Sequence, residues 1–218
     1  MALNINGTTG ISGVDGSVSA PALTGTDSNT GITFPSADTI KFSTGGVERL
    51  SITNSGISGI TAGITMADQW RLNTDLVMSQ NTDTNITANW ERVDTDGFGQ
   101  LGTGMTESSG VFTFPSTGIY LIRFHGIQYA GSSASSQNRI RITTTTDNSS
   151  YSTASTAFSS NYAQYVSTSA STEFQFDVTN TSTHKVIFAY RTGGTGVKFV
   201  SDTASSTTFV TFIRLGDT

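Results

Sequence analysis

From Val111 to His125 the chain reads VFTFPSTGIYLIRFH: a short apolar run, a turn containing proline and glycine, then a run that alternates between two faces. A period of two predicts a pair of β-strands joined by a tight turn. The alternation recurs downstream. Phe174, Phe176 and Val178 fall on one face against Glu173, Gln175 and Asp177, and Phe209 points away from Val210. Strands are expected near 111–114, 119–125, 138–146, 162–166, 173–178, 185–191, 197–200 and 208–215, separated by polar, turn-rich stretches at the spacing of a sandwich or barrel. Eight strands in two sheets make a jelly roll. No helical period interrupts them, so the expected class is all-β.

The first 66 residues carry a different pattern. Gly-Ile-Ser/Thr tracts recur at Gly10-Ile11-Ser12, Gly31-Ile32-Thr33, Gly56-Ile57-Ser58, Gly59-Ile60-Thr61 and Gly63-Ile64-Thr65, one apolar residue between turn formers each time. Their spacing is too irregular for a fixed-repeat solenoid, and glycine lacks the strict third-residue period of collagen. Within this region Ile32 and Phe34, then 39–42, then 47–52 read as a small meander with its turn at Ser43-Thr44-Gly45-Gly46. Ile40 and Phe42 share a face and Lys41 takes the other. One copy of such a segment cannot bury a core, whereas three copies wound together can. The expected organisation is a β-rich trimeric anchor or stalk over residues 1–66, a junction over 67–97 and a jelly-roll head over 98–218.

Two stretches carry candidate recognition chemistry. In the junction, Trp70 and Trp90 lie near Arg71 and Arg92 in polar sequence, and are expected to be packing anchors, with sugar stacking as the alternative. Residues 143–172 interleave Tyr151, Phe158, Tyr162 and Tyr165 with Ser, Thr and Asn, a mixture suited to a glycan or protein surface. The alternative puts Tyr162 and Tyr165 in a packed strand.

Composition narrows the chemistry. Charged residues make up 12% of the 218 positions and the net charge is -5, so the chain has no electrostatic footprint for nucleic acid. Thirteen Phe and six Tyr supply enough bulk for a sheet core. The absence of cysteine excludes disulfides, thiolate metal sites and thiol catalysis. No segment approaches the roughly 20 apolar residues of a membrane span, and the N-terminus lacks the pattern of a secretion leader. Synthesis in a cytoplasm and no membrane insertion are expected; the sequons at Asn85, Asn148 and Asn180 are then sequons in form only.

His125 and His184 are the only histidines, and no catalytic triad order, zinc-protease motif, phosphate loop or dinucleotide fingerprint is present. Glu91, Asp94, Asp96 and Glu107 cluster loosely, and Asp94-Thr95-Asp96-Gly97 resembles only the start of a calcium loop. An enzyme is not expected, nor a metal or cofactor.

Phe112, a five-residue spacer, Gly118, Tyr120 and Phe124 occupy positions of the signature strand pair of the complement component 1q and tumour-necrosis-factor superfamily. Ile122 stands where that family has Phe, and Met105 where it has an upstream aromatic. Ser206, Phe209, Phe212, Ile213 and Leu215 resemble its last strand. The resemblance implies a homotrimeric jelly-roll head in which strands near a threefold axis bury apolar side chains. The passages GTDSNTGITFP and FSTGGVERL resemble N-terminal stretches of fibre and appendage proteins of tailed bacteriophages, particularly marine cyanobacterial phages. That implies a virion protein on tail or capsid, bound to other virion proteins through residues 1–66 and to a host surface glycan or protein through its head. A capsid-decorating protein and a non-viral extracellular adhesion module are the alternatives.

Overall fold

The computed structural model describes residues 4–6, 10–12, 15–59 and 63–218. It comprises two compact units, Met1–Ala62 and Gly63–Thr218. No helix occurs among the described residues, and every strand pair is antiparallel.

In the first unit, β1 (Asn4–Asn6) pairs with β2 (Gly10–Ser12), and β3 (Gly16–Ser17) with β4 (Ala20–Pro21). A five-stranded meander follows in chain order: β5 (Leu23–Thr24), β6 (Gly31–Thr33), β7 (Ile40–Thr44), β8 (Val47–Thr53) and β9 (Gly56–Ser58). Three of the Gly-Ile-Ser/Thr tracts are β2, β6 and β9; the tract at 59–61 reaches outside the described residues. The β7–β8 turn is shorter than expected. Ser43 and Thr44 extend β7, and the reversal falls on Gly45 and Gly46 with φ of 60° and 74°. A two-residue turn with both centres at positive φ matches the twist of the flanking strands, which glycine adopts without strain. The register aligns two apolar rows on one face, Leu23–Ile32–Phe42–Leu50 and Ile40–Ile52–Ile57.

The second unit contains β10 (Met66–Leu72), β11 (Leu76–Val77), β12 (Thr84–Asn85), β13 (Trp90–Arg92), β14 (Thr106–Ser108), β15 (Val111–Thr113), β16 (Gly118–Ala130), β17 (Ser135–Thr145), β18 (Ser152–Asn161), β19 (Ser167–Val178), β20 (Lys185–Thr192), β21 (Val197–Phe199) and β22 (Phe209–Gly216). One sheet runs β19–β16–β22–β10–β13, with β21 and β11 continuing beyond β22 along the same edge of β16. The other runs β14–β15–β20–β17–β18, with β12 beside the second half of β20. Strands β10, β22, β16, β19 and β15, β20, β17, β18 are the four-plus-four layers of a jelly roll. Residues 66–92 supply β10 to β13 of this unit, and β10 pairs with β22 from Met66 to Arg71.

Between the sheets, Tyr120, Ile122 and Phe124 of β16 face Ile140 and Ile142 of β17 and Phe188 of β20, all fully buried. Phe112 meets Trp70, Trp90 and Phe188 edge-on at 5.5, 5.5 and 5.4 Å. Such contacts contribute about 0.5–1.5 kcal/mol each beyond area burial. Met105, in place of an aromatic, is fully buried in the same core.

One strand differs from expectation. Residues 162–166 form a turn, and the strand before it is β18, drawn from a stretch that reads as loop. Within its sheet β18 pairs only with β17, and its outward face is wet, so Ser, Thr and Ala suffice where a central strand needs Val or Ile.

Gly118 opens β16 at φ 144°, where an added Cβ would lie 2.5 Å from Arg214 Nε and 2.6 Å from the Gly216 carbonyl. Two residues on, the buried Tyr120 hydroxyl donates to the Ser116 carbonyl at 2.9 Å and ties the preceding turn to the strand. Gly118→Val should therefore cost about 2 kcal/mol or more, a fall of roughly 4–8 °C in melting temperature by calorimetry. An unchanged melting temperature contradicts this role.

Candidate recognition surface

The four aromatic residues singled out in 143–172 do not form one cluster. Tyr151 precedes β18, half-buried in a cleft with Ile86, Val111 and Ile187, where burial and then the Asp147 charge push its hydroxyl pKa up. Tyr162 and Tyr165 follow β18 at its other end, about 33 Å away along a ten-residue strand. Phe158 lies near that far end. Tyr162 is 86% exposed, Tyr165 67% and Phe158 62%. The chain enters at Met66, paired with Arg214, and leaves past Gly216, paired with Ile119. Tyr162 and Tyr165 sit at the opposite end, beyond the Tyr129–Ser167 pair.

That end is braced by buried polar groups. Asn161 Nδ2 donates to the Val166 carbonyl at 2.8 Å and the Gln128 carbonyl at 3.1 Å, while its Oδ1 accepts from Asn138 Nδ2 at 2.6 Å. Asn138 Oδ1 accepts from Ser135 Oγ and Thr192 Oγ1 at 2.6 and 2.7 Å. Tyr165 is held at φ 64°, a strained value for an aromatic residue, with its N–H on the Ala130 carbonyl at 2.7 Å. Gln164 Nε2 reaches the Gly131 carbonyl at 3.1 Å, and Gly131 N–H donates to Gly196 at 3.1 Å. The turns at 131–134, 162–166 and 193–196 are thus cross-linked.

A second feature lies on the outer face of the β15–β20–β17–β18 sheet. Arg139 and Arg141 are two residues apart on β17 and share this face. Arg191 of β20 lies directly opposite Arg139 on one side, and Phe158 of β18 on the other. The Arg139 guanidinium stands 5.6 Å from the Phe158 ring centre. Asp83 accepts from Arg141 Nη1 at 2.9 Å and lies 4.0 Å from Arg191 Nη1. The hydrogen bond from Arg141 outweighs partial desolvation and, with the charges of Arg141, Arg191 and Arg139, holds the Asp83 carboxyl below its ordinary range. Arg139 Nη2 donates to Gln137 at 3.1 Å, but its buried Nε has no acceptor among the described residues. The two-residue spacing of Arg139 and Arg141 was a signal in the sequence; Arg191 and Asp83 join them only through strand pairing.

The remaining candidates have structural partners. Trp90 is buried, with Nε1 donating to the Ile86 carbonyl at 3.2 Å; Trp70 Nε1 donates to Asp68 at 2.9 Å with the Arg92 guanidinium 4.6 Å over its ring. Glu91 and Asp94 accept from the buried Arg71 at 2.7 and 2.9 Å, and Glu107 accepts from Gly110 N–H at 2.6 Å. His184 stacks on Phe176, and His125, on the outer face of β16, lies 5.2 Å from Phe209. Among the described residues no group of three or more His, Asp or Glu stands close enough to hold a metal ion, and no helix is long and apolar enough to cross a membrane. Of the signature residues, Phe112, Tyr120, Phe124 and Phe212 are in the core, while Phe209 faces outward.

The second unit is an antiparallel jelly roll. No protein-family model and no curated protein matches the sequence. Among solved structures, the Eiger tumour necrosis factor of S. frugiperda is similar at 13% identity and a TM-score of 0.52, over 72% of this chain and 95% of that one. Murine APRIL, crystallised at pH 5.0, is similar at 12% identity and a TM-score of 0.50, over 69% and 98%. At these identities the likeness establishes the fold.

Two predictions follow from this geometry. Asn161→Ala removes the brace of the tyrosine turn, and should cost about 1–3 kcal/mol and speed deuterium exchange at the Tyr165 amide; unchanged exchange contradicts the bracing role. Burial, then the Arg123 charge, holds the His125 pKa below its ordinary 6.5. The unfolded chain therefore takes up this proton first on acidification. Stability carried by neutral His125 is complete above pH 6.5 and is lost as pH falls below it. The melting temperature should fall between about pH 7 and pH 5, with a shallower fall in His125→Gln; equal slopes overturn the assignment.

Proposed function

We propose that this chain is a virion appendage of a tailed phage: a fibre-type protein that forms a homotrimer and attaches to the host cell surface through its jelly-roll head. It acts by binding rather than catalysis. The observation that carries the assembly is the uncovered apolar face of the β5–β9 meander. Its Ile40–Ile52–Ile57 row ends on an isoleucine 65% exposed, with Ile40 and Ile52 each 37% exposed. A contiguous apolar face of this kind marks an association surface, and each Å² withdrawn from water contributes about 25 cal/mol. Copies of the same meander supply an apolar partner of matching shape.

The head adds a second apolar strip. Ile119 and Leu121 of β16 and Ile213 and Leu215 of β22 line the outer side of their sheet, half-buried or exposed. Three heads then present three copies of one weak site, which raises avidity without new contacts. The resemblance of GTDSNTGITFP and FSTGGVERL to phage appendage proteins supports residues 1–66 as the part bound to other virion proteins. The protein would be made in the host cytoplasm and function on the particle, with Phe158, Tyr162 and Tyr165 on the displayed surface and Tyr151 apart from them.

Light scattering on the eluted full chain should give about three times the 22.9 kDa chain mass, and Ile52→Asp should lower it. A monomeric mass overturns the assembly. Antibody to the head should label phage tails in electron micrographs. Label over the capsid would favour a decorating protein, and no label on any particle would remove the virion role.

A further inference from the structure

We infer that the outer face of β18, β17 and β20 binds an acidic polysaccharide, with Arg139, Arg141 and Arg191 gripping its anionic groups and Phe158 seating a sugar ring. This deepens the proposed attachment role by naming a site and a ligand class. Three observations converge on it. First, Arg139 and Arg191 are directly opposite on neighbouring strands with Arg141 on the same face, a like-charge arrangement that costs stability unless something neutralises it. Asp83 is the one carboxylate paired with them among the described residues, leaving two positive charges on this face of a chain whose net charge is -5.

Second, Arg139 donates to the neutral Gln137 side chain and is in no ion pair among the described residues. A guanidinium donates in a planar fork that fits two oxygens of a sulfate, phosphate or carboxylate, so an anionic group approaching from solvent supplies the counter-charge that Arg139 lacks. Third, Phe158 stands in the same cross-strand row, 62% exposed and 5.6 Å from the Arg139 guanidinium. An exposed flat ring beside cationic donors suits the apolar face of a pyranose that bears an acidic substituent.

The test uses the full chain in biolayer interferometry against dextran sulfate, unsulfated dextran of equal length and poly-L-glutamate. Dextran sulfate should bind at least tenfold more tightly than dextran, and more weakly as salt rises. Arg139→Gln with Arg191→Gln should weaken it at least tenfold and Phe158→Ala severalfold. Asp83→Asn should tighten binding, a gain that misfolding does not produce. Equal binding by the double arginine variant, no preference for dextran sulfate over dextran, or tighter binding to poly-L-glutamate each overturns the inference. So does a change of oligomeric mass in the arginine variants, which would make the patch a contact between copies. Adsorption of the labelled chain to host cells separates the two claims. Wild-type adsorption retained in the double variant removes this site and leaves attachment standing; dextran sulfate binding without adsorption to any host cell removes attachment and leaves the site.

Discussion

The head depends on one strand being hydrogen-bonded along both edges. β16 pairs with β19 from Gly118 to Tyr129, and its other edge is shared by β22 and then β21. With both edges occupied its register is fixed, and a shift of one residue would exchange Tyr120, Ile122 and Phe124 for Leu121, Arg123 and His125 in the core. The same register determines which residues meet at each end. Chain entry and exit gather beside Gly118, and three turns gather beside Ala130.

The sheet's outer strands are secured differently. Asp68 of β10 is buried, yet it accepts from Gln69 N–H at 2.9 Å, Trp70 Nε1 at 2.9 Å, Met105 N–H at 2.8 Å and Arg92 Nε at 3.1 Å. Arg71 beside it is buried and paired with Glu91 and Asp94. Removing a partner from such a network leaves a buried charge uncompensated, at about 3–5 kcal/mol. This explains how a segment with so few apolar residues can belong to a packed sandwich: charge-assisted hydrogen bonds set its geometry while Trp70, Leu72 and Trp90 fill the space.

The alternation that makes β16, β19 and β22 legible in sequence comes from burial on one side only, and their inward residues are those expected. β18 was illegible because an edge strand with a wet face needs no bulky side chains. The short strands β11 to β13 fall below the length at which a two-residue period can be seen. Tyr162 and Tyr165 suggested a strand by their composition, but the Asn161 side chain and the positive φ of Tyr165 commit them to a turn. The aromatic half of the proposed recognition surface was therefore visible as residues and misplaced as structure. Its cationic half depended on which strands pair, as Arg191 stands fifty-two positions beyond Arg139.

The cross-links among the turns at 131–134, 162–166 and 193–196 bear on how this surface changes over generations. Gln164 rests on Gly131, Gly131 on Gly196, and Ser133 Oγ donates to the Thr195 carbonyl at 3.3 Å. Loops that vary independently can each drift alone; these share backbone partners, so an insertion in one withdraws an acceptor from another. Variants that alter this end in related chains are expected to replace the three turns as a set, while the strands at the Gly118 end stay the same.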